Sequence, residues 1–129
     1  MKTHGTHLLA DLHGCDVGVL DDPVAIETAM LVAARSAGCV VIASRFHRFT
    51  PQGVTGLLLI AESHMSVHTW PESGYAAVDL YTCGDTHAHD AVERLAQALG
   101  ADRVDWIRVA RGQGTSPSLR AEMVEPEPA

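Results

Sequence analysis

The segment VTGLLLIAESHMSVHTWP, residues 54–71, carries two patterns in succession. Val54 to Ala61 is an aliphatic run of strand length, which predicts a strand buried on both faces. From His64 to Trp70 the residues alternate, with His64, Ser66, His68 and Trp70 on one side of a strand and Met65, Val67 and Thr69 on the other. Thr50-Pro51-Gln52-Gly53 before the segment, and Pro71-Glu72-Ser73-Gly74 at its end, are made of turn formers. An aliphatic strand that runs into a glutamate, a serine and two histidines needs partners for them, because an unpaired buried polar group costs roughly 1–3 kcal/mol.

Working outward, Cys39 to Arg48 is a strand that pairs with Val54–Glu62 as a hairpin, and Tyr75 to Cys83 is a strand with Asp79, Tyr81 and Cys83 on one face. Asp21-Asp22-Pro23 starts a helix with an acidic cap and a proline where the missing N–H costs nothing. Ile26, Ala29, Met30, Ala33, Ala34 and Ala37 form its apolar stripe, and Gly38 ends it. Gly84-Asp85-Thr86 is expected to cap a second helix, His87 to Leu99, and strands at His7–His13 and Arg103–Ala110 complete the set. The predicted order is β-α-β-β-β-β-α-β. It implies an α+β two-layer sandwich, a mainly antiparallel sheet with two helices on one face. Several strands are apolar on both sides, so the bare sheet face is expected to pack on a second copy, giving a homodimer.

The 129 residues suffice for one domain, expected over 1–111, while 112–129 turns to Gly, Ser, Pro and Glu and predicts a flexible tail. Sixteen acidic against nine basic residues, net −7, argue against a nucleic-acid partner, which needs a basic face. No apolar run approaches the ~20 residues of a membrane helix, and the first residues lack a signal-peptide core, so a cytoplasmic location is expected. Cys15, Cys39 and Cys83 show no paired spacing, which argues against a disulfide framework.

Three chemistries compete at the central segment, where Glu62, Ser63, His64, His68, Glu72 and Cys83 are expected to gather around one point. A zinc site of His64, His68 and Cys83 lacks closely paired ligands, so no metal is expected. A serine or cysteine hydrolase lacks a glycine-rich nucleophile elbow. The third is self-processing: a serine after an acidic residue attacks the preceding carbonyl, turns the amide into an ester, and leaves an N-terminal carbonyl group after elimination. Singly, each residue has a bland account: a packed histidine, a small buried cysteine, a turn anchored by an aromatic. His87 and His89 are assigned to a solvated helix start, and His64 to a structural hydrogen bond.

The segment Glu62-Ser63-His64-Met65-Ser66-Val67-His68-Thr69-Trp70-Pro71-Glu72-Ser73-Gly74-Tyr75-Ala76-Ala77 resembles the processing-site signature of the bacterial and archaeal pyruvoyl-dependent S-adenosylmethionine decarboxylases. Gly5-Thr6-His7-Leu8-Leu9, Phe46-His47-Arg48-Phe49, Pro51-Gln52-Gly53-Val54-Thr55-Gly56 and Tyr81-Thr82-Cys83-Gly84-Asp85 are similar to further blocks of that family in the same order. Met65, Ser66 and Val67 stand where Leu, Thr and Ile are usual, changes that keep volume and polarity.

The resemblance implies cleavage between Glu62 and Ser63 into a β chain of 1–62 and an α chain from 63, with Ser63 converted to a covalent pyruvoyl cofactor that forms a Schiff base with the substrate amine. It implies that His68 is the processing base and Cys83 the proton donor. Phe49, Trp70 and Glu72 are the implied binding residues for S-adenosylmethionine, whose decarboxylated form supplies spermidine synthesis. The catalytic set does not distinguish this substrate from arginine or ornithine, and an inactive regulatory subunit is the reading from another class; the intact Ser63, His68 and Cys83 weigh against it.

Overall fold

A computed structural model of the chain describes residues 3–83, 87–113 and 119–124. Strands β1 (Gly5–His13), β2 (Val40–Arg48), β3 (Val54–Ala61), β4 (Ser63–Trp70), β5 (Tyr75–Cys83), β6 (Arg103–Arg111) and β7 (Leu119–Val124) form one antiparallel sheet in the order β2-β3-β4-β5-β1-β6-β7. Among the described residues, helices α1 (Val17–Leu20), α2 (Pro23–Ser36) and α3 (Ala88–Ala98) complete the element set, with one 3₁₀ turn at Pro71–Ser73. The predicted two-layer α+β class holds, and so does the antiparallel sheet.

The helix starts follow the local chemistry. The Asp22 carboxylate accepts from the Val24 and Ala25 amides ahead of Pro23, and Ile26, Met30, Ala33 and Ala34 lie buried along the stripe. Asp16 caps α1 in the same way, through the Gly18 and Val19 amides. The helical layer covers one sheet face, where Leu8 and Leu12 of β1, Leu58 and Ile60 of β3, Met65 and Val67 of β4, and Val78 and Leu80 of β5 meet Leu95 and Leu99. Each such side chain contributes about 1.5–3 kcal/mol by leaving water.

Three expectations are corrected. Val54–Ala61 is buried on one face only in the single chain: Val54, Leu58 and Ile60 are covered, whereas Leu57 and Leu59 are nearly half exposed. An aliphatic run does not say which of its faces a helix reaches. The expected tail from 112 contributes a strand, Leu119–Val124, which lies along β6 with Trp106 opposite Val124 and Arg111 opposite Leu119. The free edge of β6 offers a row of backbone donors and acceptors, and the short alternating segment LRAEMV inside the Gly-, Ser-, Pro- and Glu-rich stretch satisfies them. The short helix α1 is also additional to the predicted order. The proposed cap at Gly84-Asp85-Thr86 lies outside the described residues.

Thr69 ties the layers together. It is buried between the outward-facing His68 and Trp70; its hydroxyl donates to the Leu20 carbonyl at 2.7 Å and accepts from the Val54 amide at 2.8 Å. Replacing it with isosteric valine strands both backbone groups. Thr69→Val is expected to lower unfolding free energy by roughly 2–4 kcal/mol in urea titration, with little change in slope.

Candidate active site

The alternation of β4 places Met65, Val67 and Thr69 under the helices and leaves His64, Ser66, His68 and Trp70 on the uncovered sheet face. That face also receives the odd-numbered residues of β5. Register pairs His64 with Tyr81, Ser66 with Asp79 and His68 with Ala77. On the other side of β5, His7 pairs with Tyr81 and Leu9 with Asp79.

Ser63 heads β4 directly after the Glu62 turn, and its backbone sits at φ 141°, a region that side-chain-bearing residues seldom occupy. Glu62 is exposed and Ser63 half-buried. Cys83 is the last residue of β5, half-buried and free, opposite Gly5. Continuing the β4–β5 register brings Cys83 alongside the Glu62–Ser63 bond.

The expected binding residues lie at the other end of the same strands. Phe49 is held in the β2–β3 turn by the hydrogen bond its backbone N–H donates to the Gly53 carbonyl at 2.8 Å, with its ring edge-on to His47 and nearly half exposed. That turn is anchored by Asp21, which accepts from the Arg48 guanidinium at 2.7 Å and the Gly53 amide at 2.9 Å. The Arg48 hydrogen bond, followed by that of Gly53, holds the Asp21 carboxyl below the usual carboxylate range. Glu72 accepts from the Gln52 amide at 3.2 Å, and Trp70 stacks on Tyr75 at 5.1 Å between ring centres.

His68 lies between the two ends, exposed, with Nδ1 at 3.0 Å from the Thr55 hydroxyl. It is five positions beyond Ser63 on an extended strand, which separates the two Cα atoms by roughly 16 Å. The expected convergence on one point therefore does not occur within a single chain: Glu62, Ser63 and Cys83 form one group, and Phe49, Trp70 and Glu72 another, with His68 nearer the second. Residues close in sequence on an extended strand are spread along its length, so proximity in the chain does not become proximity in space.

A polar cluster that no sequence motif announces sits on the open face beside Ser63. Asp79 Oδ2 accepts from His7 Nε2 at 2.6 Å and His64 Nε2 at 3.0 Å, and the Ser66 hydroxyl donates to Oδ1. Tyr81 stacks on His7 at 5.2 Å, and the Arg111 guanidinium lies 4.6 Å above the Tyr81 ring and donates to His7 Nδ1 at 3.3 Å. Burial pushes the Asp79 carboxyl up, but the hydrogen bonds from Ser66, His7 and His64 outweigh it and hold it below the ordinary value. The structural hydrogen bond expected of His64 is the one to Asp79. The strand parity of His7, Asp79 and Tyr81 is visible in the sequence, but the register that joins them is not. A shallow depression of about 250 Å³, lined in part by Leu9, Asp11, Ser66, His68, Ala77 and Asp79, links this cluster to His68.

At the helix end, His87 is exposed as expected, while His89 is partly covered by stacking on Trp106 at 4.3 Å between ring centres. Among the described residues no helix is long and apolar enough to cross a membrane.

The sheet-and-helix fold and much of the sequence are shared with known proteins. The S-adenosylmethionine decarboxylase family profile matches residues 6–112. An S-adenosylmethionine decarboxylase proenzyme of Acidithiobacillus ferrooxidans is 42% identical over 130 aligned positions, covering 100% of this chain and 98% of its own. A protein of the same name from Thermotoga petrophila is 48% identical over 114 positions, 88% of each chain. The crystal structure of the adenosylmethionine decarboxylase from Aquifex aeolicus VF5 superimposes with a TM-score of 0.77 at 38% identity, covering 100% of this chain and 99% of that one. A Trypanosoma brucei AdoMetDC-delta26 monomer shares the fold at TM-score 0.61 and 13% identity, over 81% of this chain and 45% of that one. The chain belongs to the S-adenosylmethionine decarboxylase family.

The three thiols differ in a way that can be measured. Burial first, and the Asp102 carboxylate second, push the Cys15 thiol up to about 11, and burial also raises Cys39. Both stay protonated and covered at neutral pH, and only the thiolate is a nucleophile. Iodoacetamide treatment of the native protein between pH 7 and 9 is expected to alkylate Cys83 first, with Cys15 and Cys39 modified only after unfolding, as read by peptide mass spectrometry.

Proposed function

We propose that this chain is a proenzyme that cuts itself between Glu62 and Ser63 and then decarboxylates S-adenosylmethionine with the pyruvoyl group so formed. The observation that carries this reading is a serine in a strained backbone conformation at the first position of a strand, with a free cysteine alongside it at the same sheet end. Relatives named as S-adenosylmethionine decarboxylase proenzymes support it across nearly the whole chain.

In the first step Ser63 Oγ attacks the Glu62 carbonyl carbon; the C–N bond breaks, an ester forms, and the hydroxyl proton ends on the freed nitrogen. Loss of the Ser63 α-proton then expels the Glu62 carboxylate from Cβ. The resulting enamine tautomerises and takes up water, releasing ammonia and leaving the pyruvoyl group on the 63–129 chain. These groups fit the site: Ser63 supplies the three carbons, and the Glu62 side of the turn is exposed. Held at the Ser63 position, the pyruvoyl group would supply an electron-withdrawing carbonyl that favours loss of CO2 from the substrate. Cys83 Sγ–H, at the same sheet end, returns the proton to the substrate α-carbon. Glu72 offers a carboxylate to the sulfonium charge, and Phe49 and Trp70 offer flat apolar surfaces to the adenine.

Within one protomer these two sets of residues stand too far apart to share a small substrate. A homodimer resolves the separation. Leu9, Leu57, Leu59 and Ile107 expose apolar surface on the uncovered sheet face, and a two-fold axis lying between two such faces, across the strands, sets the Ser63 end of one protomer against the Phe49–Trp70–Glu72 end of the other. In that arrangement the partner's His68, oriented by Thr55, is the base that receives the Ser63 proton.

Three experiments test this reading. Ser63→Ala is expected to remain a single full-length chain on a denaturing gel and to release no CO2 from S-adenosylmethionine; two fragments from that variant would end the processing assignment. Arginine and ornithine, assayed separately with wild-type protein, are expected to give no comparable release. Co-expression of Ser63→Ala with a tagged His68→Ala chain tests the shared site: each alone stays whole, whereas in the mixture the His68→Ala chain is cut. Absence of cutting in the mixture, despite formation of mixed dimers, would place His68 outside the partner's site.

A further inference from the structure

The Asp79 cluster has no part in the steps above, yet it grips the strand that begins at the scissile bond. One carboxylate takes hydrogen bonds from two β4 side chains, His64 and Ser66, and from His7 of β1 on the far side of β5. Three adjacent strands are thereby pinned to one another close to Ser63. A strained backbone angle persists only where the surroundings over-determine it. Ser63 has little else to hold it: before it lies the exposed Glu62 turn, and its ladder partner on β3 is Ile60, near the end of that strand.

The same three groups have the composition of a metal site, with His7, His64 and Asp79 ligand atoms all within 4.8 Å of one another. The surroundings speak against that use. Arginine only donates, so its contact makes His7 Nδ1 the acceptor and leaves the ring proton on Nε2, aimed at Asp79. A metal at Nε2 would require the proton on Nδ1, facing the guanidinium, the reverse of the hydrogen-bond acceptor that a ligating histidine needs behind it. Asp79 in turn is an ionised carboxylate with more acceptor capacity than the three donors use. The cluster is a hydrogen-bonded clamp with its polarity set from the Arg111 end.

We propose that Asp79 is a positioning residue for self-cleavage: acting through His64 and Ser66, it holds the start of β4 so that Ser63 keeps the backbone angle from which its hydroxyl reaches the Glu62 carbonyl. This rests on the reading that the chain cleaves at Glu62–Ser63. His64 then serves as a donor from Nε2 and takes no proton from Ser63. The clamp acts on the first step, because the strain lies in the amide-linked chain and is released when that bond opens.

The test follows the cleavage of freshly translated full-length chains on denaturing gels, with thermal melting of the same variants. Asp79→Asn, which puts an amide N–H₂ among three donors, and His64→Ala are each expected to slow cleavage roughly tenfold or more, while His64→Gln, whose amide supplies a donor near the position of Nε2, recovers to within about threefold of wild type. Uncut Asp79→Asn chains should resist neutral hydroxylamine, which splits an ester and spares an amide. Cleavage of Asp79→Asn at the wild-type rate overturns the proposal. So does a His64→Gln as slow as His64→Ala, which would make the imidazole a base, and so does hydroxylamine splitting of the uncut Asp79→Asn chain, which would put the defect after the ester. Should Asp79→Asn not melt cooperatively, Ser66→Ala removes one donor and leaves both histidines; roughly threefold slowing is expected, and the wild-type rate overturns the clamp. Wild-type chains that stay whole would instead remove the self-cleavage reading itself, and the clamp with it.

Discussion

The arrangement of this molecule depends on which side of β4 is dry. Met65, Val67 and Thr69 are enclosed under the helical layer. Because strand side chains alternate with a period of two, their burial commits His64, Ser66, His68 and Trp70 to the opposite face. A slip of one residue would drive two histidines into an aliphatic core and lift the Thr69 hydroxyl from both of its backbone partners. The hydrophobic layer thus specifies the polar one, although the two do not touch.

The open face has a polarity along the strands as well as across them. One end carries the strained serine and Cys83; the other carries exposed aromatic rings and Glu72; the Asp79 cluster sits nearer the first. Tyr75 extends the aromatic end, stacking on both Trp70 and His13 and donating to Asp11 at 2.6 Å. That hydrogen bond, with burial and the nearby charge, pushes the Tyr75 hydroxyl up to about 12, so the Tyr75 ring stays neutral at physiological pH. On the proposed reading, a face built this way is chemically complete only when its two ends meet, which no bending of a seven-stranded sheet achieves.

Local signals make much of the fold legible. Asp22-Pro23 and Gly38 bracket α2, and the alternation of β4 and β5 by itself assigns each of their residues to a face. Two other kinds of information are not local. The convergence of His7, His64 and Ser66 on Asp79 depends on the register of three strands, two of them separated by about seventy residues of chain, and no spacing in the sequence encodes it. Closeness along the chain suggests that Ser63, His68 and Glu72 gather around one point, but an extended strand converts that closeness into separation. Strand β7 escapes prediction because its short alternation, Leu119-Arg120-Ala121-Glu122-Met123, lies in a stretch whose Gly, Ser, Pro and Glu content reads as a tail. The Asp16 cap of α1 is a readable signal, yet four residues carry too little periodicity to announce a helix.

The strand order has a further consequence at the Glu62 turn. A cut there divides the sheet into one chain holding β1, β2 and β3 and another holding β4 to β7, yet β1 lies between β5 and β6 of the second chain. The two pieces are interleaved like the fingers of clasped hands. Separating them means breaking the β3–β4, β1–β5 and β1–β6 ladders together and opening the common core. Such a cut would change the molecularity of unfolding without loosening the folded state: one chain returning to itself would become an association of two, so stability would acquire a dependence on concentration while the interleaved ladders keep the native assembly kinetically locked.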